Sequence, residues 1–334
     1  MKKLLTLLLC LSLLMTMLTA CGKKEEAAKT GLAVNTSIAK STAAAADAEG
    51  LAEVDSAIAA VLVSKDGKIL DCKIDAAQTK VNFSVAGVLT TDVATTYKTK
   101  QELGTEYGML AKSGIKKEWN EQADAFAAYV IGKTVAEVKA IAVNEEGVAT
   151  DADLASAVTV HVGDFIAVVE KAVNNAQDLG AKSTDKIGLG VSTDIAKSKD
   201  AAADADGLAQ AYSYYVVTTT NAKGKISSCV IDASQGNVNF NATGVVTSDL
   251  AVAPQTKQEL KEAYGMKAQS GISKEWYEQA NSFAKYVTGK TLDEVNKIAI
   301  ADGYATDADL VSSVTVHVTA FVEDINKAVT SAGK

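Results

Sequence analysis

The chain has 334 residues, 48% of them hydrophobic and only 5% aromatic, with one proline, Pro254, and a net charge of −8. That length allows about two domains with real cores, and a single proline excludes a proline-rich linker between them. An acidic chain without a basic patch argues against a nucleic-acid partner.

Lys2-Lys3 followed by the apolar run Leu4 to Leu18 has the form of an export signal covering residues 1–20. The run is short for a membrane span and ends in small residues. Leu18-Thr19-Ala20-Cys21-Gly22 has the pattern of a bacterial lipobox, which makes Cys21 the expected lipidation site and first mature residue. An ordinary signal peptide with a chance cysteine is the alternative. Residues 21–30, with Lys23, Lys24, Glu25, Glu26 and Lys29, read as a polar tether. The protein is then expected on the outer face of the cell membrane, with membrane lipid as a partner through Cys21. Loss of Lys2 and Lys3 deepens the net charge to −10.

Beyond the tether the chain is written twice. Gly31 to Ser41 returns as Gly188 to Ser198, Cys72 to Ala76 as Cys229 to Ala233, and Trp119 as Trp276, all at an offset of 157. A period of this size means two whole domains rather than solenoid units. They are expected over 31–176 and 187–332. Cys10 leaves with the signal, so Cys72 and Cys229 are the remaining thiols. They occupy equivalent positions, too few for a metal site with two histidines, and read as small thiols on a strand.

In each copy the first half reads as strands. Ala57 to Ser64 and Lys68 to Asp75 flank the turn signal Asp66-Gly67; Tyr212 to Thr220 and Lys225 to Asp232 flank Lys223-Gly224. Val81 to Phe83 and Val88-Leu89 around Gly87 suggest a weaker second hairpin. The second half reads as helices. Trp119, Ala123, Phe126, Ala127 and Val130 recur at helical spacing, Gly132 ends that helix, and Thr134-Val-Ala-Glu137 starts another with a capping box. The same pattern runs from Trp276 to Glu294. The fold class is α+β: two tandem copies of an antiparallel sheet covered by helices.

Gly132-Lys133-Thr134 and Gly289-Lys290-Thr291 resemble the end of a phosphate-binding loop, but the earlier glycine is an alanine inside a helix, so they read as caps. Trp119 and Trp276 read as core rather than ligand platforms. No Gly-x-Ser-x-Gly turn is present, and no cysteine has a nearby histidine, which argues against a hydrolase.

The duplicated stretch Asp151 to Val162 and Asp307 to Val318 holds the only two histidines, His161 and His317. Val158, Val162, Phe165, Ile166, Val169 and Val173 trace one helical face. Asp151 or Asp153 and Ser156 then fall at its first turn, where free N–H groups favour an anion, and Thr159 stands at the junction. Because Val158 to Val162 also alternates, a short strand leading into the helix is the other reading. Helix capping by the Asp and Ser, with a half-buried Thr, explains the same residues without a ligand.

The lipobox, the two repeats and the spacing Asp-x-x-Ser-x-x-Thr ahead of an amphipathic helix resemble the FMN-binding domain family. The mature chain as a whole is similar to the two-domain flavin lipoproteins that serve extracellular electron transfer in Gram-positive bacteria. The likeness covers residues 31–330. It implies FMN esterified by a flavin transferase to Thr159 and Thr315, one per repeat, with Asp153, Ser156, Asp309 and Ser312 in support. Ala157 and Ser313 replace the family's glycine, and Val158 and Val314 its alanine. It further implies a membrane quinone oxidoreductase as electron donor and an extracellular acceptor. The chain would be an electron carrier and not an enzyme. A cofactor-free surface lipoprotein that binds a ligand or a protein is the competing expectation.

Overall fold

The computed structural model describes residues 25–333, so the expected signal and Cys21 lie outside the described residues. Within them no helix is long and apolar enough to cross a membrane. The first copy opens with β1 (Ala28–Ser37), β2 (Gly50–Ser64) and β3 (Ile69–Phe83), the second with β4 (Lys186–Asp194), β5 (Gly207–Thr220) and β6 (Ile226–Phe240). Each trio is an antiparallel sheet with strands in chain order. Helices follow: α1 (Lys100–Leu103), α2 (Trp119–Val130), α3 (Val135–Lys139), α4 (Ala152–Ala155) and α5 (Gly163–Asn174). Their counterparts are α6 (Lys257–Leu260), α7 (Trp276–Val287), α8 (Leu292–Val295), α9 (Ala308–Val311) and α10 (Thr319–Ser331). A two-residue pair, β7 (Ile300–Ala301) and β8 (Tyr304–Ala305), is added in the second copy. The fold is α+β, as the sequence implied.

The strands are apolar on both faces, and this decides the layering. On β2, Ala57, Ala59, Val61 and Val63 lie under the helices of their own repeat. The alternate residues Ala52, Val54, Ile58, Ala60 and Leu62 pack into clusters shared with the other repeat. A strand buried on both faces reads as a continuous apolar run rather than an alternation. The result is four layers: helices, sheet, sheet, helices. The expectation of sheets covered by helices thus holds on one face, and the sister sheet covers the other.

The seam between the sheets has the self-complementary character of a twofold interface. Phe83 stacks on Phe240, its own counterpart, at 4.1 Å between centroids and 6° between planes. Lys171 pairs with Glu259 at 2.6 Å, and Lys327 with Glu102 at 2.7 Å, the same pair made twice. The Ala201 amide donates to the Gly87 carbonyl and the Ala44 amide to the Gly244 carbonyl, each at 2.8 Å.

Some boundaries move. β2 and β3 are longer than the sequence suggested, and β1 and β4 were not anticipated as strands. Ala28 to Thr30 belong to β1 rather than to a tether. The edge of β1 is covered by the connection between the repeats. Thr30 and Gln177 exchange backbone bonds at 2.9 and 3.0 Å, and the Ala28 amide reaches the Ala181 carbonyl at 3.0 Å. Covering an edge in this way blocks further strand pairing. The weaker hairpin around Gly87 shrinks to a turn with one bridge, Phe83 to Leu89, so Val88-Leu89 is not a strand.

Helix α10 lies so close on β4 that a Cβ at Gly188 would come within 1.8 Å of the Ala328 carbonyl oxygen. The same packing buries Asp324, whose Oδ2 accepts from Ser192 Oγ at 2.8 Å while Oδ1 has no partner. Val168 holds this position in the first repeat, fully buried. Burial pushes the Asp324 carboxyl up to about 7. The unfolded carboxyl titrates near 4, so its contribution is intact below about pH 4 and is lost as the pH rises to about 7. Asp324→Val should therefore stabilise more at pH 8 than at pH 5, with a difference of about 2–3 kcal/mol. Urea midpoints of both proteins at the two pH values check this; an equal gain at both would refute the buried charge.

Candidate functional site

Helix α2 starts on the capping box of Glu118 and Glu121 and buries the expected stripe Trp119, Ala123, Phe126, Ala127 and Val130. One polar residue, Gln122, shares that stripe and is 0% exposed. A buried amide requires partners for both its oxygen and its nitrogen. Gln122 Oε1 accepts from the Thr159 amide at 2.8 Å, the Val160 amide at 3.2 Å and Thr159 Oγ1 at 3.2 Å. Its Nε2 donates to the Lys117 carbonyl at 3.1 Å and Ser113 Oγ at 3.3 Å. Gln279 repeats the arrangement: it accepts from the Thr315 amide at 2.7 Å and Thr315 Oγ1 at 3.2 Å, and it donates to Ser270 and Lys274. Both threonines are thus fixed at the same point of the scaffold, half-buried.

The other candidate residues are not brought onto the threonines. Asp151 caps the single turn α4 by accepting from the Leu154 amide at 3.1 Å. Asp153 and Ser156 are exposed, and Ser156 Oγ donates to the Asp153 carbonyl at 2.8 Å. Asp309 and Ser312 are likewise exposed, with Asp307 as the cap of α9. The long helix α5 begins only at Gly163, behind Val162, without a side-chain cap. Thr159 therefore does not stand at its N-terminus, and Val158 and Val162 are buried in the preceding loop rather than on a helical face. No strand forms there either; the second repeat has one bridge, Tyr304 to His317. Two causes combine, one local and one reaching over from α2. Val-Thr-Val-His-Val is rich in β-branched residues that resist helix, and Gln122 takes the amides a helix would need. His161 and His317 are both exposed, and the His317 ring meets Tyr304 edge-on at 4.2 Å.

A cleft of about 330 Å³ opens between β1, β2, α2 and α5; His161 lines it and Thr159 does not. Trp119, Phe165 and Ala57 give it apolar walls; Lys100, Asp55 and His161 give it polar ones. The Lys100 ammonium stands 4.7 Å from the Tyr107 ring centre and 5.3 Å from that of Trp119. Lys40 pairs with Asp55 at 2.6 Å, a bond that raises the lysine's pKa. The volume is at the small end of ordinary ligand sites, about 300–1,000 Å³. A larger cleft of about 980 Å³ runs along the seam of the repeats near Lys171 and Glu259 and is lined by neither threonine.

His161 lines the cleft and lies two residues after Thr159, no more than about 7 Å along an extended chain. The cleft has the apolar walls and the cation that a flat ring with polar edges requires. In the second repeat the corresponding space holds Tyr212 and Tyr214, where the first has Asp55 and Ala57. Cys72 and Cys229 are free and buried, and burial pushes both thiols up. Thr134 and Thr291 sit in capping boxes with Glu137 and Glu294, which accounts for the Gly-Lys-Thr sequences.

Sequence reasoning missed Gln122 and Gln279, and Lys100 and Lys257. The signal was a polar residue three after each tryptophan, on a stripe otherwise apolar, in both copies. No protein-family model and no solved structure matches the chain. A stretch of 41 residues is 51% identical to a chlorophenol reductase of Desulfitobacterium hafniense, covering 12% of this chain and 12% of that protein.

Proposed function

We propose that the protein is a lipid-anchored flavoprotein electron carrier on the outer face of the cell membrane, with FMN esterified to Thr159 and Thr315. A membrane quinone oxidoreductase would reduce it and an extracellular acceptor would oxidise it. The chain would itself be the substrate of a flavin transferase rather than an enzyme. One observation carries the reading: an equivalent threonine in each repeat has its backbone held by a buried glutamine. In the first repeat an aromatic, lysine-bearing cleft is lined by His161, two residues after that threonine. Bound FMN would supply the redox chemistry.

The chain's residues have separable parts in this reading. Gln122 sets the position of the threonine. Trp119 and Phe165 would shield one side of a bound ring from water, and Lys100 would offer it a positive charge. Asp153, Ser156, Asp309 and Ser312 are exposed, so they suit recognition by the transferase better than contact with the cofactor. The short likeness to a reductase agrees with a redox role but spans too little to carry it.

The test is co-expression of the exported protein with a flavin transferase, followed by denaturation, in-gel flavin fluorescence and peptide masses. An FMN mass on the Thr159 peptide is expected, and Thr159→Ala should remove it while leaving any label at Thr315. A colourless protein with unmodified threonines would sink this reading in favour of a cofactor-free binding module.

A further inference from the structure

The two repeats differ at the cleft, most in bulk at two positions, where Asp55 and Ala57 of the first are Tyr212 and Tyr214 of the second; Asn35, Ser37, Ala77 and Asp164 are also replaced, by Ser192, Asp194, Ser234 and Ala320. In the second repeat Tyr212 and Tyr214 stack on each other at 4.7 Å and 21°, and Tyr214 meets Phe321 edge-on at 5.9 Å. Lys257, the counterpart of Lys100, is buried beneath them and donates to the Tyr212 hydroxyl. Its ammonium lies 4.5, 4.4 and 5.0 Å from the ring centres of Tyr212, Tyr264 and Trp276. In the first repeat the stacked rings are gone. Asp55 and Ala57 stand in their place, Lys100 is only half-buried, and the cleft is open.

The backbone, the tryptophan, the phenylalanine and the lysine are common to both repeats. The second repeat therefore shows what this scaffold accepts: two stacked aromatic rings, one of which, Tyr212, meets the lysine with its edge oxygen. We infer that the first repeat alone seats a planar ring with an oxygen at its edge, and that Tyr212 and Tyr214 are a built-in substitute closing the second. That the ring is a flavin rests on the proposed function above. The geometry itself asks only for a flat conjugated system with a carbonyl edge, which a quinone also has. A flavin attached at Thr315 would then stay outside its repeat, exposed to solvent, while one at Thr159 would be sheltered.

Riboflavin tests this because it has the ring but no phosphate with which to be esterified. The exported protein, purified without a transferase, is titrated while flavin fluorescence is followed, and menadione is titrated in parallel. One equivalent of riboflavin per chain is expected. Asp55→Tyr with Ala57→Tyr should abolish binding, and Lys100→Met should weaken it at least tenfold without filling the cleft. Tyr212→Asp with Tyr214→Ala should raise the count to two. Circular dichroism confirms that each variant is folded; should the doubly opened variant unfold, Tyr214→Ala alone must still add a second, weaker site. Binding of menadione but not riboflavin would uphold the ring site and identify its occupant as a quinone. No binding of either probe, two equivalents in the unmodified protein, or binding indifferent to the plugging pair would overturn the inference. One equivalent of riboflavin, together with a Thr159 left unmodified after co-expression with a flavin transferase, would uphold it while removing the covalent reading, so the two fail separately.

Discussion

Phe83→Ala and Phe240→Ala are each expected to cost about 3–5 kcal/mol, and to destabilise both repeats rather than the one that carries the change. Each ring is 0% exposed. Each also fills the space over a glycine of its own sheet: a Cβ at Gly50 would lie 2.3 Å from the Phe83 ring, and one at Gly207 2.5 Å from that of Phe240. Neither glycine can take up the volume left by an alanine, so the cavity stays. Removal of both rings should cost less than the sum of the single losses, because the stacking term, about 0.5–1.5 kcal/mol, disappears with the first. The chain provides its own reporters, since its two tryptophans, Trp119 and Trp276, lie one in each repeat. Urea unfolding of Trp119→Phe and Trp276→Phe proteins then reads each repeat separately. Coincident transitions, shifted together by Phe83→Ala, are the expected result. Two separate transitions, with only the first shifted, would show that the seam does not couple the repeats.

The periodic features were open to sequence reasoning. The offset of 157 placed the two copies, the apolar stripe after each tryptophan placed α2 and α7, and Thr134 and Thr291 were recognisable as caps. The sheet–sheet seam was less visible. Ala57 to Ser64 is apolar at nearly every position, which already says that both faces are covered. It does not say that the second cover is the other copy, because that is a matter of long-range assembly. The threonine loop was misplaced for a related reason. Its conformation is set by Gln122, 37 residues earlier in the chain, and no local pattern records that bond. The asymmetry of the clefts stands in the sequence as Asp55 and Ala57 against Tyr212 and Tyr214. It gains meaning only once Lys257, Trp276 and Phe321 are found around those tyrosines.

Gln122→Leu is the substitution expected to separate the candidate site from the rest of the fold. Leucine fits the apolar stripe of α2 and keeps the helix. It leaves the Thr159 and Val160 amides and the Lys117 carbonyl without their partner. An unmet buried polar group costs about 1–3 kcal/mol, so a loss of about 3–4 kcal/mol is expected after partial relaxation to solvent. Global stability alone would not distinguish this from a simple packing defect. Hydrogen exchange does: the Thr159 and Val160 amides should lose protection well beyond the fall in overall stability, while that of Thr315, held by Gln279, keeps its own. Gln279→Leu should show the reverse, since its partners belong to the second repeat. The same variants bear on attachment. If a transferase needs the threonine held in place, Gln122→Leu should suppress labelling at Thr159 in a protein whose Thr315 is handled as before. Unchanged protection of the Thr159 amide would show that Gln122 is not what positions it. The exposed Asp153 and Ser156 would then be the candidates left to direct modification.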